Sequence, residues 1–263
     1  MNELALFAGA GGGVLGGHLL GWNTVCAVER EDYARRVLLA RQRDGMLPRF
    51  PIWDDVCTFQ GAPWKGRVQV ISGGFPCQDI SLAGSGEGLD GEKSGLWSEM
   101  ARIVGEVLPR FVFIENSPLL TSRGLKRVLW DLAQMGYDAR WGVLGAYQAG
   151  APHRRNRIWI VACNPDSNSK PVVTLHDETP RLQELDAHSV SNRLQGVIEA
   201  RAAQRAADGS SNGGPASWWK TEPDVGRVVD GMANRVDRLK AIGNGQVPSV
   251  AALAWRILAA PWI

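Results

Sequence analysis

Short apolar runs and longer mixed stretches alternate along the chain from its first residues. Residues 4–7 are apolar, a glycine loop follows, residues 14–20 carry helical spacing, and residues 24–28 form a second apolar run that ends at Glu29. Runs at 68–71, 111–114 and 158–162 continue the strand series, and between them 96–108 and 121–135 place apolar residues at helical intervals. Strands alternating with helices predict an α/β fold built on a parallel sheet, because a parallel connection must cross over and a helix is the usual way to do so. Ligands of such sheets bind beyond the carboxyl ends of the strands. The loops with chemistry to offer fall at those ends.

The pattern changes after residue 163. Between Trp159 and Trp218 there is no Phe, Trp or Tyr, although the chain contains 11 Trp, and the stretch is rich in Ser, Asn, Asp, Gln, Arg and Ala. A core is hard to build from such residues, so the stretch reads as an insertion or a small appendage, with helical character over 181–207. Residues 247–258 then give a strongly amphipathic helix, with Pro248 in its first turn. The expected organisation is a catalytic and cofactor-binding domain over 1–163, a small appendage over 164–235, and a segment over 236–263 that returns to the first domain.

Composition narrows the classes of function. The 263 residues include 29 Lys and Arg against 27 Asp and Glu, a net charge of +2, so any nucleic-acid contact must come from local patches rather than a global field. The four cysteines are widely spaced without a Cys-x-x-Cys pair, which argues against a zinc site and a disulfide framework and for a reducing compartment. No uninterrupted apolar stretch reaches the ~20 residues a bilayer requires. A cytoplasmic protein with no membrane and no metal partner is expected.

Four clusters carry candidate chemistry. Gly73-Gly74-Phe75-Pro76-Cys77-Gln78 follows a strand run, a placement that suits a partly exposed nucleophilic thiol better than the alternative of a buried, inert cysteine, which needs neither a glycine pair nor a proline beside it. Phe7-Ala8-Gly9-Ala10-Gly11-Gly12-Gly13 sits between a strand and a helix. It reads either as a nucleotide-type cofactor turn or as a tight connection, and Val14 occupies the place of the third glycine of the dinucleotide fingerprint. Glu29, at a strand end, is placed to accept hydrogen bonds from ribose hydroxyls. Glu115-Asn116 ends another strand, as a helix cap or as a general acid. His153-Arg154-Arg155-Asn156-Arg157 enters the run at 158–162, and strand alternation would send Arg155 and Arg157 to one face, there to pair with phosphate or brace a carboxylate.

In this order the segments resemble the DNA (cytosine-5) methyltransferases. Phe7-Ala8-Gly9-Ala10-Gly11-Gly12 is similar to that family's cofactor loop, Pro76-Cys77-Gln78 to its nucleophile motif, Glu115-Asn116 to its Glu-Asn-Val motif, Arg155-Asn156-Arg157 to its arginine motif, and Gly243-Asn244-Gly245-Gln246-Val247-Pro248 to its closing motif. The resemblance covers the chain through Ala162 and again from about Glu222. Departures are Ala5 where an acidic residue is common, Ser117 for the valine, and His153 for the glutamine of the arginine motif.

What the resemblance implies is a Rossmann-like S-adenosylmethionine-dependent methyltransferase sheet with a small target-recognition appendage. It implies methyl transfer from S-adenosyl-L-methionine to C5 of cytosine in double-stranded DNA, by a monomer, through a covalent Cys77 adduct with a flipped base. Cys77, Glu115, Arg155 and Arg157 would be the catalytic set, with Arg157 beside Glu115 and the cytosine carbonyl and Arg155 on phosphate. Phe7, Gly9, Gly11, Gly12, Glu29, Asp55, Pro76, Leu96 and Asn244 would hold the cofactor. The glycine-rich segment 81–95 reads as a loop closing over the flipped base or as an unstructured stretch, and base reading is expected mainly from residues 218–240. A tRNA cytosine-5 methyltransferase would share much of this chemistry. A non-catalytic cofactor-binding module would have no need of an intact Cys77, Glu115, Arg155 and Arg157, and a nicotinamide-dependent enzyme is disfavoured by the missing third glycine.

Overall fold

The computed structural model describes residues 1–76, 95–167, 183–184 and 235–263. Among them, β1 (Asn2–Leu6), β2 (Asn23–Val28), β3 (Ile52–Trp53), β4 (Val70–Gly73), β5 (Phe111–Asn116), β6 (Asp138–Leu144), β7 (Arg157–Cys163) and β8 (Gln183–Glu184) form one sheet in the order β3-β2-β1-β4-β5-β7-β6-β8. Pairings from β3 through β5 are parallel. The expected α/β fold is observed, and its parallel sheet is interrupted at β7, which runs antiparallel to both β5 and β6. The reason is local: the connection over 145–156 carries only the 3₁₀ turn Ala146–Ala149, and Leu144 pairs directly with Arg157, so the chain turns back as a hairpin instead of crossing over. Likewise Gln183–Glu184, expected within a helical stretch, is a short strand parallel to β6.

Helices cover both faces. Alternate residues of β5 show why: Val112 and Ile114 join one buried cluster, Phe111 and Phe113 the other. The first cluster is closed by α3 (Gly95–Val107) and α5 (Leu125–Gln134), through residues such as Met100, Ile103, Val128 and Leu132. The expected single helix over 121–135 is broken at Gly124, which separates the short α4 (Leu120–Arg123) from α5. On the opposite face lie α1 (Gly12–Leu19), α2 (Asp32–Arg43) and α7 (Pro248–Leu258), the last following α6 (Arg235–Asn244). Trp255 of α7 meets the rings of Trp22, Phe111 and Phe113 edge-on at 4.7, 5.1 and 5.6 Å. Gly16 lets α7 approach α1, since a Cβ there would stand 2.8 Å from that of Ala251. The C-terminal helix is thereby seated against α1, the helix that follows the β1 turn.

The strand order places the functional end. Running from β1, the chain lays β2 and β3 on one side and β4 and β5 on the other, so a crevice opens above the carboxyl ends of β1 and β4.

Candidate active site

The floor of that crevice is built by the turn after β1. Phe7 has φ of +52°, a left-handed conformation an aromatic residue rarely adopts, and Gly9 and Gly11 follow at +56° and +91°. Such strain persists where the surroundings fix it. Here the Ala8 N–H donates to the Val28 carbonyl at 3.1 Å, and the Gly9 N–H donates to Glu29 Oε2 at 2.6 Å. Glu29 also takes the Glu31 N–H on Oε1 at 2.7 Å, so its carboxylate ties the turn to the end of β2. Each oxygen keeps a further lone pair for a ligand.

Glu115 stands at the carboxyl end of β5. Its side chain is buried, with Arg157 Nε 2.9 Å from Oε1 and Gln246 Nε2 3.5 Å from Oε2. Burial pushes its pKa up to about 7, while Arg157, then Arg155 and Gln246, pull it down. Beside it, Asn116 donates from Nδ2 to the Phe75 carbonyl at 2.9 Å, anchoring the segment after β4 to the strand that carries the acid. A Cβ at Gly74 would stand 2.9 Å from Glu115 Oε2, so this glycine makes room for the carboxyl.

Arg155 reaches the site by another route than alternation. It precedes β7, with φ of +35°, and its guanidinium turns inward: Nη2 donates to the Gly243 carbonyl at 2.7 Å and to the Gly245 carbonyl. The reading that strand alternation aligns Arg155 with Arg157 is therefore corrected.

The structure brings Phe7, Gly9, Glu115 and Asn244 together as the lining of one cavity, with Gly13, Gly74 and Gln246. Gly11 and Gly12 are not in that lining: a Cβ at Gly11 would press on Leu38 in the core behind it, and one at Gly12 on the backbone carbonyl of Gln246. Asp55 lies in the loop after β3, where its Oδ1 takes the Cys57 N–H at 2.9 Å. Leu96 opens α3 and packs on the core, and Pro76 is exposed. Cys77 and most of the 81–95 segment lie outside the described residues, as does the base-reading stretch up to residue 234. Asn116 and Gln246 are site residues that sequence reasoning missed. Both belong to family-like motifs whose neighbouring residues were singled out, and that adjacency is the signal that could have found them.

Among the described residues, no helix is long and apolar enough to cross a membrane, and no group of three or more His, Cys, Asp or Glu could hold a metal ion.

A family model described as C-5 cytosine-specific DNA methylase matches residues 1–227. The Type II methyltransferase M.CviJI of Paramecium bursaria Chlorella virus IL3A is 30% identical over 243 residues, covering 87% of this chain and 64% of that protein. M.Eco47II of Escherichia coli, also a Type II methyltransferase, is 27% identical over 273 residues, 96% of this chain and 61% of its own. The chain thus spans just over three fifths of the length of these curated relatives. Among solved structures, DNMT2 of Spodoptera frugiperda superposes with a TM-score of 0.54 at 16% identity, over 70% of this chain and 54% of that one. The methyltransferase EhMeth of Entamoeba histolytica gives 0.53 at 17% identity, over 69% and 57%. At these identities the two structures speak for a shared Rossmann-like α/β fold.

Proposed function

The chain belongs to the C-5 cytosine-specific DNA methylase family, and from that premise we propose that it methylates C5 of cytosine in double-stranded DNA through a covalent Cys77 adduct. The observation that carries this reading is the buried Glu115 carboxyl, held by Arg157 in the cavity that the β1 turn and the Asn244 loop also line.

S-adenosylmethionine supplies the methyl group when bound. The residues present fit it: a Cβ at Gly9 would meet nothing within 4 Å, leaving the turn open on its outer side, and the Glu29 carboxylate is fixed yet retains acceptor capacity. Phe7, Gly9, Glu29, Asp55, Pro76, Leu96 and Asn244 would hold the cofactor, with Gly11 and Gly12 shaping the turn.

Cytosine C5 is a weak nucleophile while the ring is aromatic. Addition of the Cys77 thiolate to C6, with a proton or hydrogen bond delivered to N3 by the Glu115 carboxyl, moves electron density to C5. The C5–CH3 bond would form as the donor's S–CH3 bond breaks, the sulfonium leaving as a neutral thioether; loss of the C5 proton to a base, return of the N3 proton to Glu115 and expulsion of the Cys77 thiolate from C6 then restore aromaticity. Arg157 orients Glu115 and would meet the cytosine carbonyl. A carboxyl near pH 7 in its titration suits this task, since the protonated form is available at neutral pH. A base within a duplex must be flipped out first, at a cost of a few kcal/mol.

Incorporation of labelled methyl groups into duplex DNA and into tRNA tests the reading. Label in duplex DNA at C5 of cytosine, together with a gel-stable adduct on 5-fluorocytosine duplex that Cys77→Ser abolishes, is the expected result. Label in tRNA alone, or normal turnover by Cys77→Ser, would overturn it.

A further inference from the structure

Gln246 sits where three parts of the site converge. Its backbone carbonyl closes on Gly12, and a Cβ at Gly13 would collide with the oxygen of its side-chain amide. The nitrogen of the same amide points the other way, 3.5 Å from Glu115 Oε2 and 3.3 Å from where a Cβ at Gly74 would be. A glycine at each of these places leaves a slot of the amide's width between the β1 turn and the end of β4. The Arg155 guanidinium holds the carbonyls of Gly243 and Gly245, so the chain leading into Gln246 is pinned on its N-terminal side.

We propose that Gln246 is a positioning residue whose amide, oriented by the Gly13 slot, donates to Glu115 Oε2 and holds the acid in its working orientation, so that the cofactor turn and the acid move as one unit. A separation of 3.5 Å is long for an N–H···O bond, and catalytic contacts of this kind tighten when the site fills. The role is distinct from that of Arg157, which takes the other carboxylate oxygen. It rests on the methyl-transfer reading only for the task given to Glu115.

The charged groups facing Glu115 among the described residues are Arg157 of β7 and Arg155 from the preceding loop, both cations that favour the carboxylate. Gln246 adds a neutral donor with the same sign. Removing it therefore raises the midpoint at which Glu115 titrates, with both arginines in place. The test is a carbon-13 NMR titration of glutamate carboxyls in the cofactor-free protein, with the Glu115 signal assigned by its loss in Glu115→Gln. The unaltered chain is expected to show Glu115 titrating near 7, and Gln246→Leu to move that midpoint upward. Gly13→Ala, which leaves Gln246 in place and displaces its amide, is expected to do the same. In methyl transfer, Gln246→Leu should lose roughly tenfold in kcat and carry the alkaline limb of the pH profile to higher pH. An unmoved Glu115 midpoint in Gln246→Leu overturns the proposal, and a midpoint moved by Gln246→Leu but not by Gly13→Ala overturns the part assigned to the slot. The titration uses neither DNA nor cofactor, so failure of the unaltered chain to methylate DNA would strike the functional reading separately.

Discussion

Glu3 and Glu115 are both buried glutamates on central strands, and burial pushes each of them up to about 7. Their surroundings differ in kind. Glu3, early in β1, takes hydroxyl hydrogens from Thr24 on β2 and Ser72 on β4, each at 2.6 Å, and α1 closes over it at Gly17. Glu115, at the carboxyl end of β5, lines a cavity and has a guanidinium at 2.9 Å. A perturbed carboxyl is thus no mark of a site by itself. Position at the strand ends, an open wall and cations that stabilise a charge mark the second as chemical, whereas neutral donors around the first merely satisfy a buried group that joins three strands.

The sharpest way to break this contrast is to replace each acid by its amide. Glu115→Gln removes the transferable proton and should lower single-turnover methyl transfer by roughly two to four orders of magnitude. Glu3→Gln should leave the rate within about threefold of the unaltered chain. Comparable losses in both would erase the distinction.

Stability against pH gives the next effect. Each carboxyl has a folded-state pKa above its unfolded value of 4.5, so between about 4.5 and about 7 the folded chain binds more protons than the unfolded one. The stability these groups contribute is complete below 4.5 and is lost as pH rises through 7. For Glu3 the shift corresponds to roughly 3 kcal/mol. Glu3→Gln should therefore match the unaltered chain near pH 5 and exceed it near pH 8 in urea unfolding, flattening that part of the profile. An unchanged slope would mean that Glu3 titrates normally.

Arg157→Met tests the cation. With the guanidinium gone, Glu115 loses the foremost influence that lowers its pKa, so the alkaline limb of activity should move to higher pH. Orientation is lost as well, and kcat at pH 7 is expected to fall by about one to two orders of magnitude, within the range for charged hydrogen bonds. A limb that stays in place would separate Glu115 from the titration seen in the kinetics.

Much of this arrangement is legible in sequence because apolar runs mark buried strands: β1, β2, β4, β5 and β7 each overlap such a run, β4 by two residues, and the glycine turn and Glu115 follow two of them. Other features depend on contacts that no local pattern encodes. β6 reads Asp-Ala-Arg-Trp-Gly-Val-Leu, too polar to announce a strand, and it is held by its register with β7. α2 carries five charged residues in twelve and buries only Ala34 and Leu38. Alternation gives the faces of β7 but not its direction, and it stops at Arg157, so the inward turn of Arg155 through a left-handed backbone lay beyond it. Gln246 and Glu115 are 131 residues apart, and the seating of α7 against α1, with the Arg155 contacts to Gly243 and Gly245, brings them into one cavity.

The smallest effect separates the neutral donors from the charged ones. Thr24→Val keeps the shape of a buried β2 side chain and removes one of the two hydroxyls that donate to Glu3. Near pH 5 the carboxyl is protonated and the lost partner is one ordinary hydrogen bond, so stability should drop by about 1 kcal/mol. Near pH 8 the carboxylate is deprived of a donor in a dry interior, and the deficit should grow to about 2 kcal/mol. The sign follows from the role of the hydroxyl, which lowers the pKa of Glu3, so its removal raises that pKa further and steepens the loss of stability with pH. Methyl-transfer rates at saturating substrate should be unaltered, since Thr24 is not among the residues that line the cavity and is joined to one of them, Ser72, only through Glu3. A change in rate comparable to that of Arg157→Met would show that the Glu3 cluster reaches the chemistry after all, through the strand β1 that it shares with the cofactor turn.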